Sequence, residues 1–314
     1  MFDTVCLGHI CCDILVKPLN TLPERGKLSL TENFKMLQGG CAANTAIDLA
    51  KLGLKSGFVG KVGGDGFGDF LKAVLRADGV GTEYVVTASE EETSASLVAI
   101  GDDGERSVVH AFGTNATFCL EDIDLSFLNE TKILFVGGAM LLPAFDGVNS
   151  EELLRQARDR NILCCMDTAW DSTGKWMEKI GGSLKYLDWF LPSYEEAVCL
   201  AGGEKKPEAI ANIFMGYGVK NVVIKLGYEG CFVKPQDGDG FYSKGYKKIR
   251  AVDTSGAGDS FCAGFLAGFL KGWDIPRCAQ FANAVGTFCV QEIGTTKGVK
   301  PMNEILRFME SYTY

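Results

Sequence analysis

The stretch Val252-Asp253-Thr254-Ser255-Gly256-Ala257-Gly258-Asp259-Ser260-Phe261 decides the reading of this chain. Three small residues stand before an aspartate, and an apolar run, Phe261 to Leu270, follows it. Gly256, Ala257 and Gly258 keep side chains out of the way, so their N–H groups can converge with that of Asp259 on an anion. The helix predicted over Ala257–Lys271 aims the positive end of its dipole at the same point. A resting phosphate would repel an aspartate placed there. Its presence suggests a proton acceptor beside a phosphoryl group in transfer. The plain alternative is a glycine-rich turn capped by Ser255 before a buried helix.

A second segment, Gln38-Gly39-Gly40-Cys41-Ala42-Ala43-Asn44-Thr45-Ala46, again runs from small residues into a helix, predicted over Ala42–Leu52. Asn44 falls one turn inside it, where a polar side chain faces solvent or a ligand. Together the two segments resemble the paired signatures of the ribokinase-like (PfkB) carbohydrate kinase family. Gly8-His9-Ile10-Cys11-Cys12-Asp13 resembles the family's first strand and substrate-contacting aspartate. Val62-Gly63-Gly64-Asp65-Gly66-Phe67-Gly68 is similar to its next glycine-rich turn, and Gly227-Tyr228-Glu229-Gly230 to its nucleotide-side hairpin. Order and spacing fit along nearly the whole chain.

The resemblance implies one kinase domain over residues 1–314 with a three-layer α/β/α fold and a mostly parallel central sheet. A small β lid is expected from residues 15–36 and 93–112. Implied ligands are ATP, Mg2+ and a sugar or nucleoside, with K+ as a candidate activator and pairing of two chains through the lid as a candidate assembly. Asp259 becomes the general base and the N–H groups of Gly256, Ala257, Gly258 and Asp259 the anion hole. The helix dipole is expected to favour the carboxylate, leaving it a weak base in the ground state.

Asp13, Gly39, Gly40 and Asn44 form the expected hydroxyl-binding set, since a carboxylate beside exposed glycine backbone suits a polyol. Asn115, in Gly113-Thr114-Asn115-Ala116, is either a helix cap or a ligand contact. Glu196 matches the family's Asn-x-x-Glu element, which orders water around magnesium, but Ser193 stands in the asparagine position. Lys225, Gly227, Gly230 and Asn283 are expected on the nucleotide side. Lys225 replaces a small hydroxylated residue and either reaches phosphate or is an exposed strand-end cation; Asn283 is a candidate adenine contact. Asp253 and Ser255, with carbonyls of Ile293, Thr296 and Gly298, are the candidate monovalent-cation site, transferred by position alone.

Composition narrows the function classes. A chain of 314 residues with 46% hydrophobic and 23% charged residues reads as a soluble globular protein, and its net charge of −9 argues against nucleic-acid or anionic-membrane partners. The start, Met1-Phe2-Asp3-Thr4, lacks the basic and apolar regions of a signal peptide. The 12 cysteines include two adjacent pairs and no C-x-x-C, and most lie in apolar segments, which points to free thiols in a reducing cytoplasm.

Short runs rich in Val, Ile and Phe alternate with helical patterns throughout, as in a parallel sheet covered on both faces. Strands are expected near Thr4–Gly8, Gly57–Gly60, Ile133–Gly137, Ile162–Asp167, Trp189–Pro192 and Val222–Leu226. Residues 93–110 break that rhythm: Ser94–Ile100 and Glu105–Phe112 flank a hairpin turn, Gly101-Asp102-Asp103-Gly104. No G-x-G-x-x-G follows the first strand and no Walker motif occurs, which sets aside a dinucleotide oxidoreductase and a P-loop enzyme. With only His9 and His110, a histidine-based hydrolase or metal site is unsupported; His110 reads as a lid strand residue that could touch substrate. A sugar kinase is the first reading. A nucleoside kinase, with Phe34 and Phe112 supplying rings, is second, and a non-catalytic sugar-binding regulator is third. Phe135-Val136-Gly137-Gly138-Ala139-Met140 lacks the acidic residue expected of a strict ribokinase.

Overall fold

Residues that alternate along each apolar strand part into two cores. In the first strand, Val5 and Leu7 enter one and Cys6 the other; Leu134 and Val136 likewise separate from Ile133 and Phe135. The adjacent Cys164 and Cys165 divide in the same way, so each thiol packs as a small hydrophobe in a different layer. This computed structural model describes residues 1–102, 105–247 and 249–312, with the side chain of Arg106 also outside the description. Asp103 and Gly104 of the expected hairpin turn therefore lie outside the described residues.

The strands in chain order are β1 (Phe2–Gly8), β2 (Cys11–Lys17), β3 (Asn33–Gly39), β4 (Ser56–Gly63), β5 (Val85–Ala88), β6 (Ala95–Ile100) and β7 (Arg106–Ala111). They continue with β8 (Thr131–Ala139), β9 (Leu163–Thr168), β10 (Trp189–Phe190), β11 (Asn221–Lys225), β12 (Gly230–Lys234) and β13 (Phe241–Lys244). Nine form one sheet in the order β13-β12-β11-β10-β9-β8-β1-β4-β5. All run parallel except β12, which is antiparallel to both neighbours. Helices Cys41–Lys51, Ala257–Leu270 and Ile275–Cys289 cover one face. Helices Val148–Asp159, Met177–Leu184 and Pro207–Gly216 cover the other. Phe135 and Phe265 lie in the first core, Phe190 and Phe214 in the second, each fully buried. Each such side chain contributes ~1.5–3 kcal/mol. No helix among the described residues is long and apolar enough to cross a membrane.

A separate sheet of four strands, β3-β2-β6-β7, accounts for the two segments that broke the βα rhythm. Its first strand begins at Cys11 and its second ends at Gly39, beyond the expected limits of 15 and 36. Asp13 thus belongs to this small sheet and not to the end of β1. Among the elements that the sequence reading did not expect are the following two. The strand Val85–Ala88 is a four-residue edge, too short for a periodic signal. Helix Met177–Leu184 carries Gly181 and Gly182, which weaken helix propensity, yet it packs on the preceding helix through a 2.9 Å contact between the Ser150 and Ser183 hydroxyls.

Candidate active site

The two glycine turns meet at one carboxylate. Gly256 caps helix Ala257–Leu270 in the left-handed region, at φ 77°, and a Cβ there would stand 2.1 Å from the Thr295 carbonyl oxygen. Only glycine allows that close approach. Three residues on, Asp259 is 9% exposed. Its Oδ2 accepts a 2.8 Å hydrogen bond from the Asn44 amide, and the Thr295 hydroxyl lies 2.9 Å from Asn44 Oδ1. Asn44 therefore faces inward, tying the turn after β3 to Asp259.

Burial, and then the charge of Asp167, push the Asp259 carboxyl up to about 7, while the Asn44 amide and Lys225 pull it down. This corrects the expectation of a carboxylate made weakly basic by the helix dipole. A helix terminus stabilises a charge by ~0.3–1 kcal/mol when exposed, whereas withdrawing a carboxylate from water costs several kcal/mol. A base poised near neutrality is well matched to proton abstraction. We expect kcat/KM to fall on the acid side with an apparent pKa of about 7, and Asn44→Ala, which removes a lowering hydrogen bond, to move that limb to higher pH. A limb near the ordinary carboxylate range, or one unmoved by the substitution, contradicts this. Stability carries the opposite sign. The contribution of Asp259 is full below the ordinary value of 3.8 and is lost as pH rises to about 7.

Sequence reasoning missed Asp167, the carboxylate closest in role to Asp259. It sits 2% exposed near the end of β9, and Lys225 Nζ donates to both its oxygens at 2.7 Å. The available signal was an acidic residue closing an apolar parallel strand, where open α/β sheets place their ligands. Lys225 is buried, so the exposed strand-end alternative is set aside. Burial opposes its charge, but Asp167, Cys262 and Glu196 outweigh that and hold the ammonium above its usual range. A Cβ built on Gly258 would stand 3.2 Å from Lys225 Nζ, which places this cation against the glycine turn. Glu196 accepts from the Thr168 hydroxyl at 2.8 Å and the Ser193 amide at 3.2 Å, and burial, then Asp167, raise its pKa. Ser193 thus serves as the start of the helix Tyr194–Leu200.

On the acceptor side, Asp13 packs against bare backbone: a Cβ on Gly39 would lie 2.3 Å from Asp13 Oδ2. Gly40 then opens the Asn44 helix. Asn115 is fully buried, its amide donates to the Ile10 carbonyl at 2.8 Å, and its Oδ1 has no protein partner. Gly113 occupies the cap position, so Asn115 is not the cap. A cavity bounded by Asp13, Leu37, Val98, Ser255 and Thr295 lies between the small sheet and the segment that leads into the Gly256 turn.

The remaining residues scatter in role. Gly227 begins a single turn of 3-10 helix and Gly230 opens β12. The Asn283 amide is engaged by the Ser243 and Lys244 carbonyls at 3.3 and 3.2 Å, so it ties helix Ile275–Cys289 to β13 and leaves no amide donor aimed at adenine. Asp253 accepts from the amides of Ser255 and Gly294, both at 3.0 Å, and Lys51 Nζ donates to the Thr296 carbonyl at 2.8 Å. Gly298 packs against the Phe288 carbonyl, and Ile293 is part-exposed. Among the described residues, no group of three or more His, Cys, Asp or Glu is arranged to hold a metal ion.

Fold and site together have the layout of a phosphotransferase. The chain belongs to the pfkB family of carbohydrate kinases, whose family profile matches residues 1–301. An uncharacterized sugar kinase of Archaeoglobus fulgidus is 32% identical over 252 residues, covering 80% of this chain and 97% of that one. A 2-dehydro-3-deoxygluconokinase of Bacillus subtilis is 28% identical over 299 residues, covering 92% and 91%. The solved structure of an Arabidopsis thaliana ribokinase complexed with ribose and ATP superposes with a TM-score of 0.87 at 25% identity, over 99% of each chain. The expected ribokinase-like fold is the observed one, and the protein is a sugar kinase of this family.

Proposed function

We propose that the protein transfers the γ-phosphoryl group of ATP to a primary hydroxyl of a small sugar or sugar derivative, with Asp259 as general base. The observation that carries this is the bond between Asn44 and Asp259. It joins a hydroxyl-binding turn to an anion-binding turn at a buried carboxylate that titrates near neutrality. Asp13 and the Gly39–Gly40 backbone orient the acceptor, and Asp259 takes its proton as the new O–P bond forms. The N–H groups from Gly256 to Asp259 stabilise the charge on the transferred group, each donor contributing ~3 kcal/mol. Lys225, held by Asp167 beside Gly258, adds a fixed positive charge next to those donors. Bound Mg2+ would offset charge on the phosphates through water held near Glu196 and Asp167, in keeping with its reluctance to shed its own waters. Asn44 and Thr295 keep the base in register.

ATP consumption by the wild-type protein against pentoses, hexoses, sugar acids, sugar phosphates and nucleosides tests the reading, with Asp259→Asn as the control. Consumption independent of any acceptor, or unaffected by the substitution, would defeat it. The nucleoside alternative loses one of its two rings. Phe34 stands an odd number of residues from Leu37, which pairs with Asp13, so it points to the opposite face of the small sheet and is 69% exposed.

The 293–298 loop is proposed to take a monovalent cation on its carbonyls, with Lys51 competing for that of Thr296. Activity at constant ionic strength and magnesium should then rise when potassium replaces sodium, and Asp253→Ala should abolish the difference. The ion would act by ordering the anion-hole turn. Equal rates in both salts would show the loop working as a scaffold held by Lys51 and Asp253.

A further inference from the structure

Among the described residues, six buried side-chain polar atoms have no protein hydrogen-bond partner, and four of them belong to three residues near the small sheet: Nδ1 and Nε2 of His9, Nε2 of His110 and Oδ1 of Asn115. Buried polar atoms without partners are rare. These are grouped. His9 follows the C-terminal end of β1, its amide bonded to the Gly137 carbonyl at 3.1 Å, in the crevice where open parallel sheets bind ligands. Strand register sets Asp13, Ser96 and His110 side by side across β2, β6 and β7. The Ser96 hydroxyl lies 3.1 Å from His110 Nδ1, which leaves Nε2 as the free ring atom. The two imidazoles meet edge to face at 6.0 Å, and Phe112 closes over His110 at 5.1 Å. The Asn115 amide holds the Ile10 carbonyl, one residue beyond His9.

The group connects to the base. A Cβ built on Gly138 would stand 2.7 Å from His9 Cβ and 3.4 Å from Cys41 Sγ, and the Cys41 thiol feels the charge of Asp259. Cys41 thus links the surroundings of His9 to those of the carboxylate proposed as base. We infer that His9 and His110 are specificity-determining contacts of the acceptor, that they bind its hydroxyl groups together with Asn115 and Asp13, and that the acceptor is an uncharged polyhydroxylated molecule and not a sugar acid. The inference rests on the kinase reading given above.

The chemistry of the wall supports this. Burial holds both imidazoles below their usual range, His9 to about 3, so each is neutral; His9 offers one donor and one acceptor, as a hydroxyl does, and His110 offers its Nε2, since Ser96 takes Nδ1. Asp13, whose carboxyl burial pushes above its usual range, is an acceptor only in its ionised form and gains an O–H donor when protonated. An acid acceptor would bring a second negative charge to this wall and would need a cation or several donors to offset its desolvation. Lys35, a described cation on the same face, is exposed and stands opposite Leu15, one row beyond the Asp13–Leu37 pair.

The test uses the full chain with ATP and two acceptor sets. One holds aldoses, ketoses, polyols and nucleosides; the other holds aldonic and 2-dehydro-3-deoxyaldonic acids. Turnover is expected with a member of the neutral set. His9→Phe and His110→Phe should then raise its KM roughly 10-fold or more, with a smaller change in kcat and the KM for ATP held within about twofold. His9→Gln and His110→Gln keep a hydrogen-bonding amide and should recover part of the loss, and they serve as the test if the Phe variants fail to fold. Preference for an acid, or an acceptor KM that none of the four substitutions moves, overturns this inference and leaves the kinase reading intact. ATP consumption with no member of either set overturns both.

Discussion

Asp259→Asn is expected to lower kcat by ~10²- to 10⁴-fold, the usual share of a positioned acid–base group. Asparagine is nearly isosteric and its amide can turn to keep the 2.8 Å contact with Asn44, so acceptor and nucleotide affinities should stay close to wild type. Stability gives a second readout with its own sign. The buried carboxyl is pushed up to about 7, so at pH 8 the folded protein holds a charge that burial disfavours. The neutral amide removes that cost, and the variant should melt no lower than wild type at pH 8. Turnover within a few-fold of wild type on the true acceptor would remove Asp259 from the mechanism. A raised KM with unchanged kcat would assign it to binding instead.

The second large effect concerns stability. Lys225→Met leaves Asp167, 2% exposed, without the ammonium that donates to both its oxygens. Stranding one member of a buried ion pair costs ~3–5 kcal/mol, which lowers Tm by on the order of 10 °C in a chain of this size. The double variant Asp167→Asn, Lys225→Met should regain most of the lost stability, because no unpaired charge remains. It should not regain activity, because the fixed charge beside Gly258 is gone. Thermal melts and turnover of the two single variants and the double separate these effects. A Tm for Lys225→Met within a degree or two of wild type would show that Asp167 finds another partner.

Both predictions turn on how far a sequence carries a site. The turn from Gly256 to Asp259 was legible because consecutive small residues before a helix specify backbone directly. Gly39, Gly40 and Asn44 were legible for the same reason. Asp167 was not, since it is 58 residues from Lys225 in sequence and a lone strand-end aspartate has no local pattern. The two histidines were too few for a histidine-based hydrolase or metal site; His110 was read as a lid strand residue that could touch substrate, and His9 was given no role of its own. Their meaning lies in a 6.0 Å contact between the end of β1 and a strand of the other sheet. Asn283, an adenine candidate from the family resemblance, has its amide engaged by Ser243 and Lys244 of β13, a pairing 40 and 39 residues away in sequence that no local pattern shows.

By itself the sequence determined the alternating βα frame and the two glycine turns, because period-2 and period-3.6 patterns and backbone-only turns are written in neighbouring residues. The protonation of Asp259 was decided by the tertiary structure alone. Its local signal, a helix N-terminus, favours the charged form, and burial, with the charge of Asp167, reverses that. The fold likewise chose Lys225 as a buried partner over an exposed strand end, and brought Asp13, Ser96, His110 and His9 together from β2, β6, β7 and the turn after β1. Burial and through-space charge depend on what lies across the core, and a linear pattern carries no record of that distance.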